Sequence, residues 1–155
     1  MPTAKIANED RSIRSSTGYW VTRLARTMES DFENRLSVHG VSRAACAILS
    51  AIANDKKTTP ASLASFIGID AAAMTRHLDR LEEQGLLVRE RSTTDRRVVK
   101  LKLTRKGSRL VPKLVADSKA TNAKFLAGLT SAEKKGLQEI VQKMLANSDL
   151  VPEDI

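Results

Sequence analysis

The sequence predicts a mainly α-helical fold with one small β-hairpin, and three observations carry that prediction. Of the 155 residues, 41% are hydrophobic but only 3% aromatic. The core must therefore be aliphatic and rich in alanine, a mixture that favours helices. Two short helical patterns are joined by the tight link Gly68-Ile69-Asp70, the connection that helix-turn-helix units share. Beyond them, Leu87 to Ser92 and Val98 to Leu103 read as two strands around a polar loop. In the second, Val99, Leu101 and Leu103 face one way and Lys100 and Lys102 the other, the period of a half-buried strand. Residues 41–104 thus read as a winged helix-turn-helix.

The elements follow in order. Residues 1–14 are polar and unpatterned and are expected to form a flexible arm. A helix starts near Ser15 to Thr17, where hydroxyls suit capping. Its stripe is Val21, Leu24, Ala25, Met28, Phe32 and Leu36, and Gly40 stops it. Ser42 caps a second helix to about Ala53, buried through Ala45, Ile48, Leu49 and Ile52, and Asn54 to Lys57 form a turn. Thr59-Pro60 is a helix entry, a capping hydroxyl followed by proline at the first helical position. The short third helix carries Leu63, Ala64, Phe66 and Ile67. Asp70 caps a fourth helix running to Gln84, with Gly85 as its stop.

A long helix runs from about Thr104 into the 120s and breaks at Gly128. Thr130 to Glu133 reads as a capping box, opening a last helix striped by Leu137, Ile140, Val141, Met144 and Leu145. Residues 149–155 are expected to be a flexible tail. The terminal helices, within 15–40 and 105–148, have single apolar stripes that must be buried against each other or against a second copy. The second solution makes them dimerisation helices and supplies the two-fold symmetry that helix-turn-helix proteins use on palindromic DNA.

Composition excludes several classes of function. No apolar run approaches the ~20 residues of a membrane span. The lone cysteine, Cys46, permits no intrachain disulfide or thiolate metal site, and two histidines, His39 and His77, make no histidine-rich one. A reducing, cytoplasmic setting is expected, with no metal and no resident cofactor. There is no glycine-rich phosphate loop, nucleophile elbow or histidine–carboxylate cluster at ligand spacing, so the chain does not read as an enzyme. The net charge is +8, and residues 86–110 alone carry +7, nine basic side chains against Glu90 and Asp95. So concentrated a cationic field favours a polyanionic partner such as double-stranded DNA, the alternative being a merely solvated face.

The fourth helix supplies a candidate reading face. Met74, Leu78 and Leu81 share its core side, so Ala72 and Arg76 project from the opposite side, flanked by Ala73, Thr75 and Asp79. Small side chains permit close approach in a major groove, methyls touch thymine, and an arginine forks onto guanine. The alternative is an ordinary surface arginine paired with Asp79 or Glu83. Thr59, at the entry to the third helix, and His77, within reach of phosphate, complete the DNA-facing set on the helices. In the hairpin, Thr94-Asp95-Arg96-Arg97 sets two arginines at the tip, where a wing enters the negative potential of a narrow minor groove. Asp95 repels phosphate and is assigned to holding a neighbouring arginine and fixing the turn.

The run from Ala64 to Ile69, then from Thr75 to Leu87, Asp95-Arg96-Arg97, and Lys100 to Gly107 with its Leu-x-Leu-Thr-x-x-Gly exit resembles the MarR/SlyA family of bacterial transcription regulators. The likeness spans about residues 17–148 and is specific from Ala64 to Gly107. It implies a homodimer whose two winged domains read a pseudo-palindromic operator. By that likeness Arg76 reads bases, Arg96 enters the minor groove, and Arg97 supports the wing or contacts phosphate. Ala71-Ala72-Ala73 departs from the relatives, so base preference does not carry over.

The resemblance also implies a small effector, often aromatic and anionic, whose binding between dimer helices and winged domain releases DNA. Arg23, Arg26, Cys46 and Ser50 fall near that cleft, with Arg26 as a partner for a carboxylate. The opposing reading for Arg26 is a solvated helix arginine, and for Cys46 a small buried hydrophobe. Two functions compete: a ligand-responsive regulator, most simply a repressor, and an architectural protein of the same fold that binds all duplexes alike.

Overall fold

The computed structural model describes residues 13–91 and 99–147. Most of the expected arm, the hairpin tip and the tail at 149–155 fall outside these residues. Six helices and a two-stranded hairpin follow in order: α1 (Thr17–Ser37), α2 (Arg43–Asn54), α3 (Pro60–Ile67), α4 (Ala71–Glu83), β1 (Leu87–Arg91), β2 (Val99–Leu103), α5 (Arg105–Phe125) and α6 (Ser131–Ala146). Among the described residues no helix is long and apolar enough to cross a membrane. The expected fold class, mainly α with a hairpin wing, is the observed one.

Local capping chemistry sets the helix starts. The side chains of Ser42, Thr59, Asp70, Thr104 and Thr130 each accept a backbone N–H from the first turn of the helix they precede, satisfying donors that would otherwise lack a partner. α1 is the exception. Ser16 stands at its N-cap but its side chain makes no capping bond, and Trp20 Nε1 instead donates to the Arg14 carbonyl at 2.7 Å. α1 also ends three residues before Gly40; the glycine, at φ +69°, serves the turn beyond it.

The core lies where α2, α4 and the hairpin meet the lower half of α5. Ile48, Leu49, Leu63, Met74, Leu78, Leu81, Leu87, Leu101 and Leu114 are almost wholly enclosed there, with Leu36 from the end of α1. β1 and β2 are antiparallel, Leu87 opposite Leu103 and Arg89 opposite Leu101. The Leu101 N–H also donates to the Thr58 carbonyl at 2.7 Å, which fastens the hairpin to the segment entering α3.

α5 joins the winged unit to α1. Asp31 accepts from Arg35 and Thr121, each at 2.9 Å, and from Lys124. Lys124, then Arg35, hold its carboxyl well below the usual carboxylate range. A depressed carboxyl stabilises the fold above its unfolded pKa, and that contribution fades as pH falls below about 4. His39, expected as a helix-end residue, lies just past α1 with its Nε2 2.8 Å from Asp117 Oδ2.

Of the two ways to bury the terminal stripes, the chain itself supplies neither helix with full cover. α6 has no buried residue, and Leu137, Ile140, Val141, Met144 and Leu145 all stand exposed. Trp20, Val21 and Leu24 on α1 do likewise. Packing of these stripes against each other within one chain is therefore excluded.

Gly107 is the most tightly enclosed of the glycines. A Cβ there would lie 2.0 Å from the Leu86 carbonyl oxygen, a backbone atom that cannot move aside. Gly107→Ala should lower stability by about 2–3 kcal/mol, at the upper end of overpacking costs. Urea denaturation followed by circular dichroism checks this; an unchanged midpoint would disprove the close approach.

Candidate nucleic-acid interface

Burying Met74, Leu78 and Leu81 fixes the rotation of α4 and so its outward face. Ala71, Ala72, Thr75 and Arg76 are exposed, while Ala73 and His77 are half-buried at the edges. Asp70 Oδ1 accepts from the Ala73 N–H at 2.8 Å. That bond above all, with smaller help from the Ala72 N–H and the Arg76 charge, holds the Asp70 carboxyl below its ordinary value. The Thr75 hydroxyl donates to the Ala71 carbonyl at 2.9 Å, leaving its methyl and an acceptor lone pair to face outward.

Arg76 is free where the sequence offered it two acidic partners. Among the described residues it makes no hydrogen bond or ion pair, because Asp79 is taken by Arg89 at 2.7 Å. Arg89 lies on the inner face of the hairpin, in alternation with Leu87 and opposite Leu101. It also meets Glu82 at 2.6 Å, and its N–H donates to the same carboxylate at 3.2 Å. The sequence counted Arg89 within the cationic field; the structure spends it on binding the wing to α4. Strand alternation was the signal that could have revealed this. Lys102 is likewise paired with Glu90 at 2.6 Å.

The remaining expected residues fall in three places. Thr59 is the cap of α3 and its hydroxyl is engaged with Ser62. His77 makes no hydrogen bond among the described residues. Asp95, Arg96 and Arg97 lie outside them. Among the described residues no group of three or more His, Cys, Asp or Glu side chains could hold a metal.

Cys46 and Ser50 come together on the wall of a cavity of about 770 Å³ between α1, α2 and α5, together with Phe32, Arg43, Leu114 and Lys119. Burial pushes the Cys46 thiol up, keeping it protonated at neutral pH. Arg43 is paired with Glu29 at 2.9 Å, whereas Lys119 has no ion pair among the described residues. Arg23 and Arg26 do not line this cavity. Both are exposed further back on α1, and Arg23 donates to the Tyr19 hydroxyl at 2.9 Å.

Residues 39–98, which contain α2 to α4 and the first strand, match the model of the MarR family. Members of that family are transcription regulators, not enzymes. The fold extends beyond the matched segment. A mutant MarR from E. coli complexed with operator DNA superposes with a TM-score of 0.74 at 24% identity, covering 92% of this chain and 99% of that one. A MarR-family transcriptional regulator from Listeria monocytogenes complexed with 26mer DNA gives 0.74 at 22% identity, with 85% and 88% covered. The reduced form of MarR from E. coli gives 0.70 at 26% identity, with 84% and 96% covered.

The contrast between the two arginines is measurable without DNA. Arg89→Ala should cost about 1–2 kcal/mol, since it leaves two carboxylates together and removes charge-assisted bonds. Arg76→Ala should stay within roughly 0.5 kcal/mol of the parent, as exposed unpaired positions do. Thermal unfolding of both variants gives the comparison, and equal losses would contradict the assignment of partners.

Proposed function

We propose that this MarR-family protein is a sequence-specific repressor that binds a pseudo-palindromic operator as a homodimer. The observation that carries the reading is the bare N-terminal face of α4: small side chains around one arginine that makes no hydrogen bond or ion pair among the described residues. In this reading Arg76 forks onto a guanine, the methyls of Ala72 and Thr75 meet thymines, and Arg96 at the wing tip enters the adjacent minor groove. The uncovered stripes of α1 and α6 support the dimer, which sets two recognition helices about one helical turn apart, ~34–36 Å. A small aromatic carboxylate in the cavity beside Cys46 and Ser50, drawn by Lys119, is the proposed releasing ligand. Release requires that ligand to bind the free form more tightly than the DNA-bound one; a tenfold loss of operator affinity needs ~1.4 kcal/mol of coupling.

Sedimentation at micromolar concentration should show twice the 17.0 kDa chain mass; a lone 17.0 kDa species would remove the dimer. Footprinting on the DNA flanking its own gene locates the operator. There, Arg76→Ala should weaken binding by roughly 1–3 kcal/mol per half-site and relax base preference, and Arg96→Ala should act chiefly where the minor groove under the wing is A·T-rich. Wild-type affinity in both folded variants would show that the DNA surface lies elsewhere. Equal affinity for operator and unrelated duplex at every salt concentration would favour the architectural alternative.

A further inference from the structure

The charge surplus that the sequence concentrates in residues 86–110 does not all face the reading side of α4. Arg105 and Arg109, with Lys113 beyond them, recur at every fourth residue of α5 and form a single row. With Lys106 they line a cleft of about 640 Å³ where the end of α1, the end of α4 and the start of α5 meet. Its apolar walls are Leu86 and Leu110. Among the described residues none of these four cations has an ion pair; Lys106 is held only by the Gln84 carbonyl at 2.8 Å. His39, on the wall of the cleft, is paired with Asp117, the next residue along the row. Like charges at this spacing repel, so the row makes no sense as a stabilising device, while an anion seated among them would relieve it.

We infer that this cleft is a binding site for a small organic molecule carrying several phosphate charges beside an apolar ring or chain. A row of three cations on one side suits a chain of phosphates, and Leu86 and Leu110 suit a less polar body. The volume is that of an ordinary small-molecule site. Duplex DNA fits it less well. A duplex presents a convex backbone to a concave cleft, and Gln84 lies twelve residues along α4 from Ala72, roughly 18 Å at the helical rise. The site is also distinct from the cavity beside Cys46, with which it shares no lining residue. It stands whether or not the operator reading holds.

Amide NMR of the full-length protein without DNA, titrated with inorganic tripolyphosphate and separately with adenosine triphosphate free of magnesium, tests this. Both probes should shift Gly40, Leu86, Arg109 and Leu110 most, with Thr75 and Arg76 little affected. The double variant Arg109→Ala, Lys113→Ala should weaken both probes at least tenfold, and Arg109→Lys, Lys113→Arg should restore them. The double variant Lys134→Ala, Lys143→Ala on α6 removes the same charge elsewhere and should leave affinity within twofold. Equal weakening by the α6 variant would reduce the effect to net charge and overturn the site. So would shifts centred on Thr75 and Arg76, or shifts in the cleft with a duplex but not with either probe. The cations are exposed, and an unchanged amide spectrum away from the cleft certifies each variant as folded.

Discussion

Where the chain leaves the hairpin and enters α5, two backbones touch. Gly107 sits against the Leu86 carbonyl, which itself accepts the Thr104 N–H at 3.1 Å. The Thr104 hydroxyl donates to the Gly85 carbonyl at 2.7 Å and accepts the Gly107 N–H at 3.1 Å. One threonine thus caps α5 and ties it to the turn that ends α4. With no side chain at position 107, the axis of α5 passes close to the start of β1, and its direction is set by backbone atoms that do not repack. The rest of α5 follows. Asp117 arrives at His39, and Thr121 and Lys124 arrive at Asp31. The orientation of α4 relative to α1 is therefore set by one glycine contact and two polar clusters together with the shared apolar core around Leu36 and Leu114.

Charge is divided in the same economical way. Asp79, three residues from Arg76 on α4, would otherwise be free to neutralise it, and Glu82 would stand unpaired beside Asp79. Arg89 occupies both, so the wing is held to α4 by the bonds that leave Arg76 unpaired. Breaking that arrangement has two consequences at once: the hairpin loses an anchor, and Asp79 is released within reach of Arg76. Stability of the wing and availability of Arg76 are coupled through Asp79.

Much of this fold was legible because its signals are local. A capping side chain acts on an N–H three residues away, which is why Ser42, Thr59, Asp70 and Thr130 marked helix starts correctly. The stripes of α2 and α4 are repeating patterns along one element and read equally well. Partners distant in sequence were not legible. Nothing within a few residues of His39 points to Asp117, or near Asp31 to Lys124, and composition alone counted Arg89 as free charge. The motif ending in Gly107 was visible as a pattern, but its cause, a carbonyl twenty-one residues earlier in the chain, was not. The α1 stripe was visible too, yet periodicity cannot say whether a neighbour in the same chain covers it; Val21 and Leu24 stay exposed.

The cap of α4 constrains how that helix end meets an anion. An uncapped helix N-terminus offers its free N–H groups and positive dipole end to phosphate. In α4 the Asp70 carboxylate already takes the Ala73 N–H, and its lowered pKa keeps it charged at neutral pH. The helix end is thereby stabilised, by about 1 kcal/mol for a typical cap, and made less favourable to phosphate, since one free N–H is taken and a carboxylate stands beside the others. Phosphate attraction must come from cationic side chains, and on α4 the nearest is Arg76, six residues on. In the proposed operator reading, the affinity of α4 for its groove then depends on what Arg76 and the small residues around it meet, which is the condition for reading sequence instead of charge.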